Sequence, residues 1–275
     1  MRLTTKIVLG IFVSIFLLSF GVIIALLFNV KKDNSYINDT TRIIMQENII
    51  SVDIEPYKTI WIDGEYTEDN QFYLTGKLLL KPVLREYEKN KLFLPEELLP
   101  FTDIISSNDT LIIRLKLEGL IKQYDPIKSK NKHVLHILDG VNFVMHPNTV
   151  DVISNINGIE IDIRNMKTDR IDISTPGEVS IDSCQVGRIN PIMRGWRLFR
   201  IKNSQVKELN IDLDQMERNW QVENCVIEVE NRTGSGNYID HLPKGAAKNV
   251  NWIPKNKDAQ MTMTLRGDTA RIVFP

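Results

Sequence analysis

Four aspartates have the residue type and the spacing that carbohydrate chemistry uses. They occupy the polar positions of segments that otherwise alternate with aliphatic residues, and they are Asp162, Asp172, Asp182 and Asp212. Glycosidases use two carboxyl groups, one as an acid and the other as a nucleophile or base. The same positions are also the solvent side of an ordinary alternating strand, and nothing around them indicates a shifted pKa. The sequence therefore favours a protein that is not an enzyme, with a polysaccharide lyase or hydrolase as the alternative.

A second set of residues interleaves cations with aromatic rings. It lies between residues 193 and 202 and consists of Arg194, Trp196, Arg197, Phe199, Arg200 and Lys202. Aromatic and guanidinium faces stack on flat partners, and cations bind anionic phosphate or carboxylate groups. We predict a ligand-binding surface for an envelope glycan or a protein partner at Arg194, Trp196, Arg197, Arg200 and Lys202. The alternative is that Trp196 or Phe199 fills the core while the arginines are solvated.

Other common chemistries have no signature in this chain. The sequence has no phosphate-binding glycine loop, no Gly-x-Ser-x-Gly, no His-Glu-x-x-His and no Cys-x-x-Cys. His133 and His136 stand three residues apart, which places them on opposite faces of a strand, and His146 lies further on. We therefore predict no metal and no cofactor. Lysine plus arginine number 34 against 35 for aspartate plus glutamate, a balance that argues against a nucleic-acid partner.

The elements that position these residues form a repeat. A phrase of an aliphatic residue, any residue, Asn or Ser, and a small or soft residue begins at Ile163, Ile181, Ile201 and Val222, so its copies lie 18, 20 and 21 residues apart. A period near twenty residues is typical of a solenoid. Aliphatic residues alternate with charged ones inside each repeat, which indicates strands with one buried face.

The third position of the phrase predicts where each rung bends. It is occupied by Asn165, Ser183, Asn203 and Asn224. Asparagine tolerates the left-handed region, and its side chain bonds to nearby backbone groups. We therefore expect these residues to stack at one corner of a right-handed parallel β-helix. An antiparallel meander with regular turns is the alternative fold, although it would not require the same phrase at the same phase.

The two cysteines test this register. Cys184 and Cys225 occupy the fourth position of their phrases, and Ser204 occupies it in the rung between them. Two rungs place backbones about 9 to 10 Å apart, which is beyond the reach of a disulfide. The solenoid therefore predicts two free, buried thiols, whereas an exported protein with two cysteines usually contains a bridge.

The amino-terminal segment has the composition of a membrane anchor. No charged residue lies between Lys6 and Lys31, and the apolar run from Ile7 to Phe28 would rise about 33 Å as a helix, enough to cross a bilayer. A cleaved signal peptide is the alternative, but its apolar core would be shorter. Positive residues flank both ends, so the charge pattern hardly sets orientation. We expect a single-pass membrane protein whose β-rich remainder is exported to the periplasm or the cell exterior.

These patterns predict an all-β chain with one transmembrane helix. We expect a cytoplasmic tail at 1–6, an anchor at 7–30, a linker at 31–41 and a leading strand region with a short helical insert at 42–132. Solenoid rungs follow at 133–234, and a loop with a closing antiparallel hairpin follows at 235–275. The helical insert is expected between Pro82 and Pro100, and the hairpin would cover the last rung.

One resemblance extends over residues 47–275. The run Ile-x-Pro-Tyr-x-x-Ile-x-Ile-x-Gly at Ile54 to Gly64, a strand ending in Leu111-Ile-Ile-Arg-Leu115, and short β rungs behind a membrane segment resemble the GIN head-domain family. That family comprises bacterial adhesin-like domains of unknown function. The chain departs from the pattern in its insert between Pro82 and Pro100 and in having a Ser-Gly turn at Ser235-Gly236 alone. The resemblance implies a right-handed β-solenoid in the envelope of bacteria such as the Bacteroidetes, and it implies no established activity.

Overall fold

The computed structural model describes most of the chain beyond residue 40. The described residues are 41–44, 48–65, 71–116, 119, 134–145, 150–194, 197–216, 220–242, 247–265 and 271–273. The chain divides into two compact units, Met1–Thr41 and Arg42–Pro275, and the architecture below is that of the second. The predicted tail, anchor and linker lie outside the described residues. Within the described part of the chain, no helix is both long and apolar enough to cross a membrane.

The structure is all-β, as predicted. The strands are β1 (Thr41–Ile44), β2 (Ile49–Asp53), β3 (Thr59–Glu65), β4 (Gln71–Leu80), β5 (Lys91–Pro95), β6 (Thr102–Ser107), β7 (Thr110–Lys116), β8 (Val134–Met145), β9 (Val150–Ser154), β10 (Ile159–Arg164) and β11 (Lys167–Thr175). They continue with β12 (Val179–Asp182), β13 (Gln185–Met193), β14 (Phe199–Lys202), β15 (Gln205–Asp212), β16 (Trp220–Glu223), β17 (Val226–Gly234), β18 (Asn237–Leu242), β19 (Ala247–Pro254), β20 (Gln260–Leu265) and β21 (Arg271–Val273).

Two long sheets form the walls of a β-solenoid. One, here called the short-strand sheet, has the order β16, β14, β12, β10, β4, β8, β5, β2. The other, here called the long-strand sheet, has the order β21, β19, β17, β15, β13, β11, β9, β3, β7, β6. From β9 onward, each strand pairs in parallel with the strand one repeat away. This parallel pairing confirms the solenoid and excludes the antiparallel meander.

The corner between the two sheets is made by the repeated phrase. Asn165, Ser183, Asn203 and Asn224 have φ values of 56°, 57°, 48° and 52°, as their residue types predict for the left-handed region. Their backbones link successive rungs. The N–H of Asn165 donates to the carbonyl of Asp182 at 3.0 Å, and that of Ser183 donates to the carbonyl of Lys202 at 3.1 Å. The phrase is therefore a corner signal that fixes the register of the rungs.

The core consists of aliphatic columns between the two sheets. Ile163 pairs with Ile181 and Ile181 with Ile201 on one wall, and Ile171, Ile189 and Leu209 align on the other. All six side chains are fully buried. Burying an isoleucine or leucine side chain contributes about 1.5–3 kcal/mol, so each rung is held by the apolar columns that the alternation predicted.

The cysteines lie where the register places them. Cys184 and Cys225 are both free thiols, and the N–H of Cys184 donates to the Oγ of Ser204 at 3.0 Å on the rung between them. Cys184 is buried, as predicted, whereas Cys225, also predicted to be buried, is only half-buried. Burial raises the pKa of the Cys184 thiol to about 11 and also raises the pKa of Cys225.

The leading region combines both strand directions. β2 pairs with β5, β5 with β8, and β6 with β7 in antiparallel fashion. β3 and β4 instead pair in parallel with solenoid strands β9 and β10. The helical insert predicted between Pro82 and Pro100 is mostly not helix, since it contains strand β5 between two short 3₁₀ helices, Glu86–Glu88 and Glu96–Phe101. Pro82 follows strand β4, and Pro100 lies inside the second 3₁₀ helix.

The predicted closing hairpin is wrong. β20 pairs in parallel with β18, and β21 pairs in parallel with β19. The loop predicted at the start of 235–275 instead contains β18 and β19, and β19 pairs in parallel with β17. Its polar residues are on strands because their side chains hydrogen-bond from rung to rung. The long-strand sheet therefore continues the solenoid beyond the fourth phrase.

Candidate functional site

A groove runs along the outer surface of the long-strand sheet, across its strands. It has a volume of about 860 Å³ and reaches from Val150 on β9 to Val226 on β17. A second concavity of about 510 Å³ shares Asp169, Arg170 and Gly187 with it. Five strands at about 4.8 Å spacing span roughly 19 Å. The groove therefore has the length of a short polymer segment.

A close approach of two strands shapes the middle of the groove. Gly187 on β13 stands beside Asp169 on β11, and a Cβ at Gly187 would lie 2.4 Å from the carbonyl oxygen of Asp169. Any side chain at position 187 would collide with that backbone. Glycine is therefore required here for steric reasons, which gives this one position of the groove a definite sequence constraint.

Polar groups of both signs line the groove. The cations are Lys167, Arg170 and Lys207, the carboxylates are Asp151, Asp169, Asp172 and Glu228, and the amides are Gln185 and Gln205. Arg170 pairs with Asp172 through its Nε. The charges nearly balance, so the groove offers hydrogen-bond donors and acceptors without a strong net field.

A ladder of amide side chains crosses the same sheet and meets the groove at Asp172. Asn190 donates to Asp172 at 2.6 Å, Asn210 to Asn190 at 2.7 Å, Asn231 to Asn210 at 2.8 Å and Asn251 to Asn231 at 2.8 Å. Every amide nitrogen donates in the same direction along the solenoid. Each amide has two N–H hydrogens and two acceptor lone pairs, so an amide in the ladder retains hydrogen-bonding capacity toward a ligand. We call the four asparagines Asn190, Asn210, Asn231 and Asn251 the amide ladder.

Two carboxylates extend the same column beyond the amide ladder. Asp151 pairs in register with Asp172, and Thr59 donates through its hydroxyl to Asp151 at 2.9 Å. Asp172 accepts from Asn190 and pairs with Arg170. The column therefore ends in acceptors that are held by neighbours on both sides.

The four predicted aspartates do not converge. Asp162 and Asp182 lie on the short-strand sheet, where Asp162 pairs in register with Ser180 and Asp182 with Arg164. Asp172 on β11 and Asp212 on β15 both lie on the long-strand sheet, where β13 separates their strands. Each aspartate also has its own partner. The buried carboxylate of Asp162 contacts Arg164 at 2.6 Å, and Asp212 contacts Lys255 at 2.6 Å. This arrangement lacks the facing carboxylates of the alternative enzyme.

The predicted cationic and aromatic cluster is spread over the other sheet and its loop. Arg194 and Arg197 are exposed, Arg200 lies 3.3 Å from the Oε1 of Gln221, and Lys202 forms a 2.9 Å ion pair with Glu223. Phe199 is fully buried and fills the core, as the alternative interpretation expected. Trp196 lies outside the described residues. Binding at Arg194, Trp196, Arg197, Arg200 and Lys202 stays a prediction.

A compact polar cluster lies at the turn after β17. Asp214 accepts from the backbone N–H of Ser235 at 3.0 Å and from Lys255 at 2.8 Å, and it contacts the hydroxyl of Tyr238. The hydrogen bond from Lys255, followed by that from Tyr238, holds the pKa of Asp214 well below its usual range. The tyrosine ring also meets Trp252 edge-on at 5.9 Å. These contacts connect β15, β17 and β19, so we assign this cluster a structural role.

The groove and the amide ladder were not predicted from the sequence. The structure does not test the three histidines considered as metal ligands, because it describes none of their side chains. His133 and His146 lie outside the described residues, and nothing is described of the side chain of His136. Within the described residues, no group of three or more metal-binding side chains is present. The signal for the ladder was the spacing of Asn190, Asn210, Asn231 and Asn251, which are 20, 21 and 20 residues apart.

Comparison with known proteins gives structural matches alone. No protein-family model matches the chain, and no curated protein matches it. Among solved structures, a "putative adhesin" from Bacteroides fragilis is 12% identical with a TM-score of 0.47, over 84% of this chain and 100% of that one. A "putative lipid binding protein" from Parabacteroides distasonis is 12% identical with a TM-score of 0.44, over 86% and 100%.

A third solved structure is a "putative adhesin" from Parabacteroides distasonis, 12% identical with a TM-score of 0.42, over 86% of this chain and 98% of that one. At 12% identity, these similarities assign no activity to this chain. They assign no ligand to this chain.

Proposed function

We propose that this protein is a non-catalytic module of the bacterial cell envelope whose β-solenoid binds a glycan chain in the groove. In this proposal the segment at 7–30 anchors the chain in the membrane, and the solenoid, right-handed as the resemblance implies, is exported. The observation that carries the proposal is the groove of about 860 Å³ that follows the repeat axis beside the amide ladder.

The groove suits a repeating ligand because its own polar groups repeat. Gln185 and Gln205 occupy the same position on neighbouring strands. Asn190 and Asn210, five residues further along the same two strands, are hydrogen-bonded to each other. These groups recur at about 4.8 Å. A sugar hydroxyl is both a donor and an acceptor, and it therefore matches amides, carboxylates and lysines alike. An extended glycan would meet equivalent partners at each rung.

The near balance of charges favours a neutral glycan in the groove. Lys167 and Lys207 are offset by Asp169 and Glu228 on the same surface. An acidic glycan would need an excess of cations, and the predicted cluster with Arg194, Arg197, Arg200 and Lys202 has one. We therefore propose that the groove is the neutral-glycan site and that the cationic cluster is a separate surface for anionic groups.

Binding of defined polysaccharides to the full-length chain in detergent tests this proposal. The panel is a soluble β-linked glucan, a mannan and the acidic polymer polygalacturonate, and binding is followed by isothermal titration calorimetry. We expect binding of a neutral polymer. The double substitution Gln185→Ala/Gln205→Ala should weaken it about tenfold, since each lost hydrogen bond contributes about 0.5–1.5 kcal/mol.

The matched control is Gln260→Ala, an exposed glutamine on β20 outside the groove, which should leave affinity unchanged. The substitutions Arg197→Ala and Lys202→Ala should affect only polygalacturonate. Loss of neutral binding in these two variants, or no binding of any neutral polymer, would remove the groove proposal. Release of new reducing ends from a bound polymer would show catalysis instead.

A further inference from the structure

In the described part of the chain, the long-strand sheet continues for more strands than the short-strand sheet at the carboxyl-terminal end of the solenoid. The long-strand sheet continues from β17 to β19 and β21. On the opposite wall, β16 pairs within the described residues with β14 alone, and β18 pairs with β20 in a separate two-stranded sheet. Among the described strands, the short-strand wall is therefore split between β16 and β18, and one edge of β16 faces this split.

The inward-facing side chains of β16 are less covered than those of β14. Phe199, Ile201 and Ser204 are 0%, 0% and 2% exposed on the rung of β14. Trp220 and Val222 pair in register with Phe199 and Ile201, and Cys225 holds the same position of the repeated phrase as Ser204. All three of these β16-rung residues are only half-buried. The change occurs at the split, so apolar surface there lacks part of the cover that each earlier rung receives from its neighbour.

The backbone of β16 offers a strand-pairing edge at the split. In a parallel ladder, alternate residues direct their N–H and C=O groups to opposite neighbours. The carbonyl of Glu223 accepts from the N–H of Asn203, on the β14 side. Trp220 and Val222 therefore direct their backbone groups to the split. Exposed strand edges of this kind pair readily with an added strand.

A column of alternating charge leads to the same edge. Arg164, Asp182, Lys202 and Glu223 are successive partners in register across β10, β12, β14 and β16. Their signs alternate along the column, and Lys202 contacts Glu223 at 2.9 Å. Glu223 remains 48% exposed. A cation on the next strand would continue the alternation.

We propose that the open edge of β16 binds an extended peptide of a partner protein by strand addition. The peptide alternates apolar side chains, which cover Val222 and Cys225, with basic ones, of which one pairs with Glu223. Main-chain hydrogen bonds supply affinity, and the alternate side chains supply specificity. This proposal is independent of glycan binding in the groove, which lies on the opposite sheet.

Peptide binding to the full-length chain in detergent tests the proposal. The probe is a fluorescein-labelled eight-residue peptide of alternating valine and lysine, followed by fluorescence anisotropy. The matched probes are the valine–glutamate peptide and the valine–lysine peptide with alternate amides N-methylated. We expect binding of the first probe alone, and slower hydrogen exchange at Trp220 and Val222 when it is bound.

Two variants locate the site. Glu223→Lys should weaken binding of the valine–lysine probe roughly three- to fivefold, which is the size of effect expected for an exposed charge pair. The same variant should bind the valine–glutamate probe better than the wild type does. The same charge change at exposed Asp258, Asp258→Lys, is the control and should have no effect. Val222→Pro removes an N–H that points into the split and should weaken binding at least as much, with circular dichroism checking the fold.

Three results would overturn the proposal. Slow exchange of the Trp220 and Val222 amides in the free chain at low concentration would mean that the chain covers its own edge. Slow exchange that appears only at high protein concentration, without peptide, would assign the edge to a second copy. Equal binding of the N-methylated probe would exclude strand addition.

Discussion

Arg232 and Glu230 form an ion pair inside the solenoid. The Nε of Arg232 lies 2.7 Å from the Oε1 of Glu230, and both side chains are 1% exposed. Glu230 pairs in register with Leu209 on the neighbouring strand β15, and Arg232 pairs with Ile211. The guanidinium also lies 5.5 Å from the centre of the Trp220 ring. A charged pair thus occupies two positions of the apolar columns.

Removing one partner of this pair should be far more damaging than removing both. We expect Arg232→Met to lower the free energy of unfolding by about 3–5 kcal/mol, because it removes the cation that lies 2.7 Å from the buried carboxylate of Glu230. The double variant Glu230→Leu/Arg232→Met should recover most of the loss. Urea denaturation of the wild type, both single variants and the double variant measures the coupling.

The surface pair Arg188 and Glu208 is the matched control. Their side chains are 53% and 29% exposed at a distance of 2.9 Å, so Arg188→Met should cost less than about 1 kcal/mol. Additive losses at Glu230 and Arg232 would contradict the account of a coupled buried pair.

The amide ladder should contribute to stability in proportion to the bonds that each amide makes. Asn210 donates to Asn190 and accepts from Asn231, whereas the only ladder bond of Asn251 among the described residues is its donation to Asn231. We expect Asn210→Ala to cost about 1–3 kcal/mol and Asn251→Ala about half as much. Urea midpoints compare the two variants. Equal costs, or none, would mean that water replaces the ladder bonds.

The cluster around Asp214 should give the protein a defined response to acid. The hydrogen bonds from Lys255 and Tyr238 lower the pKa of Asp214 in the folded state. A carboxyl with a lowered folded pKa contributes stability above its unfolded pKa, near 4, and loses it as pH falls through the folded pKa. We expect Asp214→Asn to be less stable than the wild type at pH 7, with the difference shrinking below about pH 4.

Urea midpoints of both proteins between pH 7 and pH 3 measure this effect. Asp258→Asn changes an exposed aspartate in the turn before β20 and is the control for the loss of one surface carboxylate. A gap between Asp214→Asn and wild type that stays constant down to pH 3 would refute the assignment.

The two thiols should differ in reactivity. Burial raises the pKa of Cys184 to about 11, and Cys225 is half-buried with a raised pKa. The thiolate is the reactive form, so at pH 8 we expect slow alkylation of Cys225 in the native protein and alkylation of Cys184 only after denaturation. Mass spectrometry of peptides measures both. A disulfide between them would contradict the register of the rungs.

The corner phrase predicted the fold because it has a local physical cause. A residue with positive φ is needed once per rung, and few residue types tolerate it, so Asn165, Ser183, Asn203 and Asn224 mark the register in the sequence itself. The aliphatic alternation then gave the buried columns. The free state of the cysteines followed from the same register.

Near the end of the chain, polarity does not distinguish a loop from a strand. Asn231 and Asn251 are strand residues whose amides are satisfied by the rungs beside them, a contact that has no local sequence signal. Glu230 and Arg232 are charged residues at inward positions of β17. They interrupt the alternation of aliphatic and polar residues that indicates a buried strand face, so the sequence pattern does not reveal that the core continues there. The groove could not be predicted, because its shape depends on the approach of Gly187 to a neighbouring strand.

The uniform sense of the amide ladder gives this face of the protein a polarity. Each side-chain amide from Asn251 to Asn190 donates toward Asp172, so their dipoles align head to tail, as peptide dipoles do in a helix. A polysaccharide also has two unlike ends. A chain lying along the ladder would have a lower free energy in one of its two directions, and the solenoid would therefore fix which end of the polymer points toward β9.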